Sequence, residues 1–479
     1  MAGGHTGHMV RGTVWSVLQA VGDRGLIAVL TFVLARMLGP EEIGVAAVAT
    51  GPAMVVIAAL RGFSDVVIRA EDEARSMLNA VFWAALAATV VGAVLAIGVS
   101  VLIWGGREDG GRVIEMVGLA AVAGPLAALA VVPEGLLARR FQFRALFLRK
   151  MIGALVGAAA AVGVVAAGGR GWSLVVFLVV SQAAGSLSAV VAARWWVSGE
   201  TAFTSAWRAL TFSGRLFLGS LIYQSIPRTL EMACGAVAGL HAAGMVRVAL
   251  QITEAATNLL HAPVGRMLFS ITARIGDDAR RIKAALLEVY GVALFAGAAA
   301  CAAIHGGAPL FVDLVLGAAW SEAAGIIQIL CFVLLTYGFD VPARETLKAR
   351  GEIGRYFLIA VSAGAASVAV ILISAPFGLI ASAFGYGVAA IVAAAITFVV
   401  GRRVLELKAG EVLVPAARQL GVLAVALVAQ HLATRWGGVL VGLGVLCLTY
   451  PAMTWLVQRR MIGTLRIRLT GGSARQVAT

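Results

Sequence analysis

Apolar residues come in long unbroken runs here, at neither the period of two of a half-buried strand nor the one-sided 3.6 period of a surface helix. Fourteen runs of about 20 residues can be drawn along the chain, the length a helix needs to cross a bilayer. They begin at about 13–35, 43–66, 78–104, 114–137, 147–168 and 172–196, and resume at about 209–235, 242–265, 284–306, 319–343, 355–375 and 378–401. Two more follow near 413–433 and 437–457. Connections are short and polar, and no soluble domain is inserted. The pattern predicts an all-α polytopic integral membrane protein.

Composition agrees: 61% of the 479 residues are hydrophobic and only 13% charged, about half the charged fraction of a soluble domain. The net charge of +14 would suggest nucleic acid on a soluble protein, but the basic residues alternate between connections instead. With the N-terminus inside, about 28 Arg and Lys fall in inner connections and tails against 5 outside, as the positive-inside rule requires. Both termini are expected in the cytoplasm and the first span is expected to be retained, since no small-residue cleavage site follows a short apolar core. A nucleic-acid partner is excluded.

The chain also repeats. Gly39-Pro-Glu-Glu-Ile-Gly44 joins the first two spans, and Gly239-Leu-His-Ala-Ala-Gly244 joins the seventh and eighth. Each turn follows a span bearing an arginine, Arg24 or Arg228. The repeat predicts a six-span N-lobe over 1–197, an inter-lobe connection at 198–208 and a six-span C-lobe over 209–403. Two further spans occupy 404–458 and a basic tail 459–479. Repeats of this kind place a transport site between the halves near mid-membrane.

Charges left inside spans cost roughly 2.5–3.5 kcal/mol each at mid-membrane, so each needs a partner, a wet cavity or a route to the interface. Arg61 and Asp65 (i,i+4) and Arg228 and Glu231 (i,i+3) have the spacing of helix-surface pairs. Glu134 and Arg215 lie near span ends and read as interfacial. Arg24, Arg228 and Arg247 are the candidate substrate ligands, because guanidinium forks match phosphate oxygens. Asp23, Glu231 and Glu254 are the candidate charge partners or ion-coupling acids. For Arg228 and its neighbours, simple ion pairing within the membrane fits the spacing equally well. Pro227, directly before Arg228, offers a helix break beside it.

Four cysteines, Cys234, Cys301, Cys331 and Cys447, sit singly in apolar runs and read as small hydrophobes. No histidine or cysteine spacing suggests a metal, and no phosphate loop or nucleophile elbow suggests an enzyme or cofactor. The letters Gly385-Tyr-Gly387-Val-Ala-Ala390 match a dinucleotide fingerprint but lie inside an apolar run with no strand before it.

The opening span with Leu34-Ala-Arg-Met-Leu-Gly-Pro-Glu-Glu-Ile-Gly44 resembles polysaccharide-transporter flippases of the MOP superfamily. So do Pro133-Glu-Gly-Leu-Leu-Ala-Arg-Arg-Phe-Gln-Phe-Arg144, Ala262-Pro-Val-Gly-Arg-Met-Leu-Phe-Ser270 and Gly317-Ala-Ala-Trp-Ser-Glu-Ala-Ala324. The resemblance is to the branch that exports lipopolysaccharide, capsule and exopolysaccharide units, and it runs over about three quarters of the chain. It implies alternating-access export of a polyprenyl-pyrophosphate-linked oligosaccharide across the bacterial inner membrane, without covalent chemistry. Membrane lipids, a polysaccharide polymerase and export machinery are the implied partners. By analogy with lipid II flippases it assigns substrate contacts to Asp23, Arg24 and Arg247, although the first span lacks a further basic residue found in those proteins. A multidrug or toxin antiporter of the same superfamily would favour an acidic cavity, and a membrane glycan polymerase a sizeable outer loop; neither is visible.

Overall fold

A computed structural model describes the backbone of residues 3–69, 75–199, 201, 203–275 and 279–469; side chains are described in these ranges except at 3–30, 69, 203–213, 216, 261–281 and 455–469. Among the described residues there is no strand. In chain order the helices are α1 (Gly3–Ala59), α2 (Arg61–Arg69), α3 (Arg75–Trp104), α4 (Gly110–Ala121), α5 (Ala123–Ala128) and α6 (Val131–Arg139). Next come α7 (Phe143–Ala166), α8 (Trp172–Ala193), α9 (Phe203–Ala238), α10 (Leu240–Ile275) and α11 (Ala279–Phe311). The series ends with α12 (Ala323–Leu330), α13 (Val333–Ala349), α14 (Ile353–Ser374), α15 (Leu379–Val404) and α16 (Ala409–Leu469).

Among the described residues, 10 helical stretches are long and apolar enough to cross a bilayer. The last, Ala409–Thr454, is 46 residues long and takes in the run near 413–433 and most of the run near 437–457; at Gly438 the backbone turns to φ +81°. Three expected spans, 13–35, 209–235 and 242–265, lie along α1, α9 and α10, where part of each falls outside the described side chains. Large apolar side chains such as Leu95, Leu102, Ile373, Ile380 and Phe384 point away from the helix bundle and are exposed. In water such a surface would aggregate, whereas in a bilayer it is the solvated face.

The two matched turns of the sequence meet each other. α1 is two helices joined at Gly39, whose φ is +80° and ψ 171°, and Gly239 separates α9 from α10 at φ +90°. Only glycine adopts such angles at low cost. Five residues after each turn residue, Gly44 and Gly244 face one another's turns. A Cβ on Gly44 would overlap the Leu240 carbonyl, and one on Gly244 the Pro40 carbonyl. The contact is reciprocal, 40 with 244 and 240 with 44, which is the signature of a pseudo-twofold axis. Small residues allow backbones to approach this closely where no hydrophobic effect drives helices together.

Polar bonds surround the glycine contact. Trp320, fully buried, donates from Nε1 to the Ala35 carbonyl at 3.1 Å. Arg36 donates to the carbonyls of Leu314 and Val315 at 2.8 and 3.2 Å, and Arg107 donates to that of Ala236. This end of the bundle is the one the charge pattern places outside.

Glu42, in the first turn after Gly39, gathers both neighbouring outer arginines. It pairs with Arg112 through both oxygens, lies 3.8 Å from Arg170, and accepts the Gly171 N–H at the start of α8 at 2.9 Å. A carboxylate at a helix N-terminus satisfies an orphan N–H and complements the helix dipole. Glu42→Ala is therefore expected to cost about 1–2 kcal/mol, read as a lowered unfolding midpoint in detergent. Glu41→Ala, on an exposed neighbour, should leave the midpoint in place. Equal shifts from both would remove the capping role.

Candidate functional site

The charges singled out in the sequence meet where the second helix of α1 packs against α9 and α10. Arg228 lies on α9 directly after Pro227, and α9 runs through this proline without interruption. Proline removes one helical N–H, so the Tyr223 carbonyl loses its usual donor; the break expected beside Arg228 is confined to that one bond. Glu231 follows one turn later and is fully buried. Arg247 and Glu254, seven residues apart on α10, present on the same face of that helix.

Four side chains form one network. Arg228 pairs with Glu231 through Nη1 and reaches both oxygens of Glu254 through Nη2 at 2.8 and 3.0 Å. Arg247 donates from Nη1 to the same Glu231 oxygen at 3.1 Å and from Nη2 to the Met54 sulfur on α1 at 3.4 Å. Gly51, one turn before Met54, lies beside the Arg228 side chain and the Glu231 carboxylate.

Two guanidiniums face two carboxylates, so these four side chains balance in charge, in line with the ion pairing their spacing allows. The physical reason is desolvation. A guanidinium this deep needs a counter-charge to persist, and the acids that supply it sit on the same two helices. Glu231 is shared, with one oxygen accepting from both arginines and the other making no hydrogen bond. The side chains of Asp23 and Arg24 lie outside the described residues.

Elsewhere Glu134, which reads from sequence as interfacial, pairs with Arg149 on α7. Asp340, Arg344 and Thr397 form a buried group the sequence did not reveal. Arg344 pairs with Asp340 at 2.9 Å, its guanidinium stacks 4.1 Å from the Tyr223 ring, and Thr397 donates to Asp340 at 2.8 Å. Arg344 reads from sequence as part of a basic inner connection; its i,i+4 spacing from Asp340 was the available signal. No cluster of three or more His, Cys, Asp or Glu able to hold a metal occurs among the described residues.

The all-helical bundle with matched halves and charges buried where they meet is a fold shared with known membrane transporters. Solved structures agree on the fold. A lipid II flippase, MurJ, in an inward closed conformation superposes with a TM-score of 0.73 at 12% identity, covering 95% of this chain and 100% of that one. A multidrug resistance MATE family transporter of the MOP superfamily, in an inward-facing conformation, gives 0.67 at 17% identity, covering 80% and 94%. At these identities the likeness is one of fold alone.

Sequence narrows the class. The model of the family described as polysaccharide biosynthesis protein matches residues 33–325, and the chain belongs to that family. The succinoglycan biosynthesis transport protein ExoT of Rhizobium meliloti (strain 1021) is 32% identical over 178 residues, which is 36% of this chain and 35% of that protein. The matched region thus spans about a third of the relative's length. The protein is thus a member of the polysaccharide biosynthesis protein family with the fold of the MurJ and MATE structures.

Proposed function

We propose that this transporter flips polyprenyl-pyrophosphate-linked oligosaccharide units from the cytoplasmic to the outer leaflet of the inner membrane. The observation that carries the reading is the sharing of one buried carboxylate, Glu231, by Arg228 and Arg247. In the empty state the acids of the cluster neutralise the arginines, which keeps two guanidiniums at membrane depth without a ligand. A pyrophosphate offers the same guanidiniums more oxygens and more charge than one carboxylate does, in the bidentate geometry arginine favours. It displaces Glu231 and Glu254 from Arg228 and Arg247, and the released acids become the groups through which transport couples to ions. Asp23 and Arg24, earlier on α1, join the site by the resemblance to lipid II flippases.

The units 1–197 and 209–403, joined through 198–208, rock against each other about the glycine contact, while 404–458 and the tail 459–479 lie outside the exchange. The headgroup crosses between the units and the prenyl chain stays in lipid. Both termini face the cytoplasm, and the glycan passes on to a polymerase and export machinery. An antiporter of organic cations would need acids available to the substrate, whereas both described acids of the cluster are held by arginine.

The test is flipping of a fluorescent polyprenyl-pyrophosphate glycan in proteoliposomes. Arg247→Ala should reduce it by two orders of magnitude or more, since two charge-assisted bonds of about 1.5–3 kcal/mol each are lost. Arg140→Ala, on the exposed α6–α7 turn, should retain most activity. Equal loss from both would trace the effect to insertion or folding and remove Arg247 from the site.

A further inference from the structure

A second set of charges lies along one face of α13, toward the end the charge pattern places in the cytoplasm. Asp340, Arg344 and Lys348 follow one another at intervals of four residues and so share a side of the helix. Each cation rests on an aromatic ring. The Arg344 guanidinium sits 4.1 Å from the centre of the Tyr223 ring on α9, and the Lys348 ammonium 4.9 Å from that of Tyr356 on α14. The two rings are themselves neighbours, with centroids 6.2 Å apart. Acids balance the stripe, Asp340 for Arg344 and Glu345, at 2.8 Å, for Lys348. It carries no surplus charge.

Arg344 differs from Arg228 and Arg247 in what its acid leaves over. Asp340 approaches Nε, the inner nitrogen, at 2.9 Å, while Thr397 holds the other carboxylate oxygen at 2.8 Å. Among the described residues no hydrogen bond forms from this guanidinium, Nε included. The side chain is 14% exposed, so the group is not sealed inside the helices around it. Arg228 and Arg247 commit their terminal nitrogens to Glu231, Glu254 and Met54. In Arg344 a carboxylate behind and a ring below fix the plane of the fork, and its outer edge is left for another acceptor. Donors left unmet in a largely buried guanidinium are costly, and such groups are normally satisfied by a partner.

We infer that Arg344 is a further ligand for the diphosphate of the substrate, reached before Arg228 as the headgroup enters from the cytoplasmic side. Its place along the path follows from α9. Tyr223, on which Arg344 stacks, precedes Arg228 by five residues, about 7–8 Å of helix rise toward the inner end. The free edge of a guanidinium matches two phosphate oxygens at once, and stacking leaves that edge open because the ring takes the face of the cation. Asp340 is a positioning residue: it orients the fork and offsets its charge in the empty protein. The source of the diphosphate rests on the lipid-linked reading above, whereas the preference for an anion with paired oxygens comes from Arg344 itself.

The experiment measures binding of inorganic pyrophosphate in nanodiscs and, in proteoliposomes, flipping of a fluorescent polyprenyl-pyrophosphate glycan over a range of its concentrations. The main variant combines Asp340→Asn with Arg344→Gln, which removes the pair together and strands no charge. Loss of the charge-assisted fork should raise both half-saturating concentrations about tenfold or more. An entry ligand contributes affinity rather than the transport step, so the maximal flipping rate should stay within about threefold. Arg344→Lys, which keeps the charge and loses the fork, should weaken binding about threefold, and it carries the same test if the double variant inserts poorly. Arg355→Gln, in an exposed pair with Glu352, should leave both concentrations in place. Half-saturating concentrations unchanged in both Arg344 variants overturn the assignment, as does a fall in maximal rate with affinity intact, the mark of a structural ion pair. Arg344-dependent binding of inorganic pyrophosphate without binding or flipping of the lipid-linked glycan keeps the diphosphate ligand and overturns the lipid-linked reading instead.

Discussion

Arg228→Ala is expected to be the most damaging single change in the membrane interior, harming both stability and transport. Its guanidinium holds two carboxylates, Glu231 on its own helix and Glu254 on α10. Without it Glu254 loses its partner and Glu231 keeps only Arg247. Breaking a buried pair from one side costs about 3–5 kcal/mol, because a charge is left without compensation. Arg247→Ala leaves Glu231 paired with Arg228, so its cost in stability should be well below this while its cost in transport stays large. The check is a pair of unfolding midpoints in the same detergent, with flipping measured alongside. Restoration of much of the Arg228→Ala midpoint by adding Glu254→Gln would confirm that the stranded acid, rather than lost packing, carries the penalty. Equal midpoints for Arg228→Ala and Arg247→Ala would contradict the network.

Gly44→Leu and Gly244→Leu form the second pair of large effects, and they should act alike because the contacts are reciprocal. Even a methyl group at either position would overlap the opposite carbonyl, and backbone cannot move aside as the tip of a side chain can. The helices must separate, breaking the neighbouring bonds from Trp320 to Ala35 and from Arg36 to the 314–315 carbonyls. The expected outcome is a protein that inserts normally, transports less than a hundredth as well, and exposes a cysteine placed at Ala35 to a membrane-impermeant thiol reagent added outside. Wild-type protein should shield that position. Gly98→Leu, where an added Cβ would meet nothing within 4 Å, should be silent. Unchanged transport in Gly44→Leu would remove the glycine contact from the working cycle.

Both pairs of substitutions show where the sequence was sufficient and where it was not. The helical class, the membrane and the matched turns are local properties: apolar run length and Gly-to-Gly spacing survive without any knowledge of packing. Nothing in that spacing says the two turns touch, yet each glycine needs a reason, and close approach is the commonest one. The Arg228–Glu231 pair was legible because three residues on a helix share a face. Its extension to Glu254 and Arg247 was not, since pairing between helices depends on how each is rotated about its axis. The same holds for Cys301 and Cys331, read as isolated, whose buried thiols stand 3.6 Å apart across two helices. Arg344 was misplaced for a different reason. Its helix ends in a polar stretch that looks like a connection, and only burial by Tyr223 and Asp340 reveals it as interior. For Arg228 and Arg247 the sequence left substrate contact and ion pairing open, and in the structure both pair with acids.

The most direct measurement of the central claim is equilibrium binding in nanodiscs at several salt concentrations, comparing a polyprenyl-pyrophosphate glycan with an organic cation such as ethidium. The account predicts that the pyrophosphate lipid binds, that its affinity falls as salt rises, and that Arg228→Lys and Arg247→Ala each weaken it by at least tenfold while ethidium binds weakly throughout. Tight ethidium binding that depends on Glu231 or Glu254, with the arginine changes silent for the pyrophosphate lipid, would contradict it and reduce both arginines to structural ion pairs.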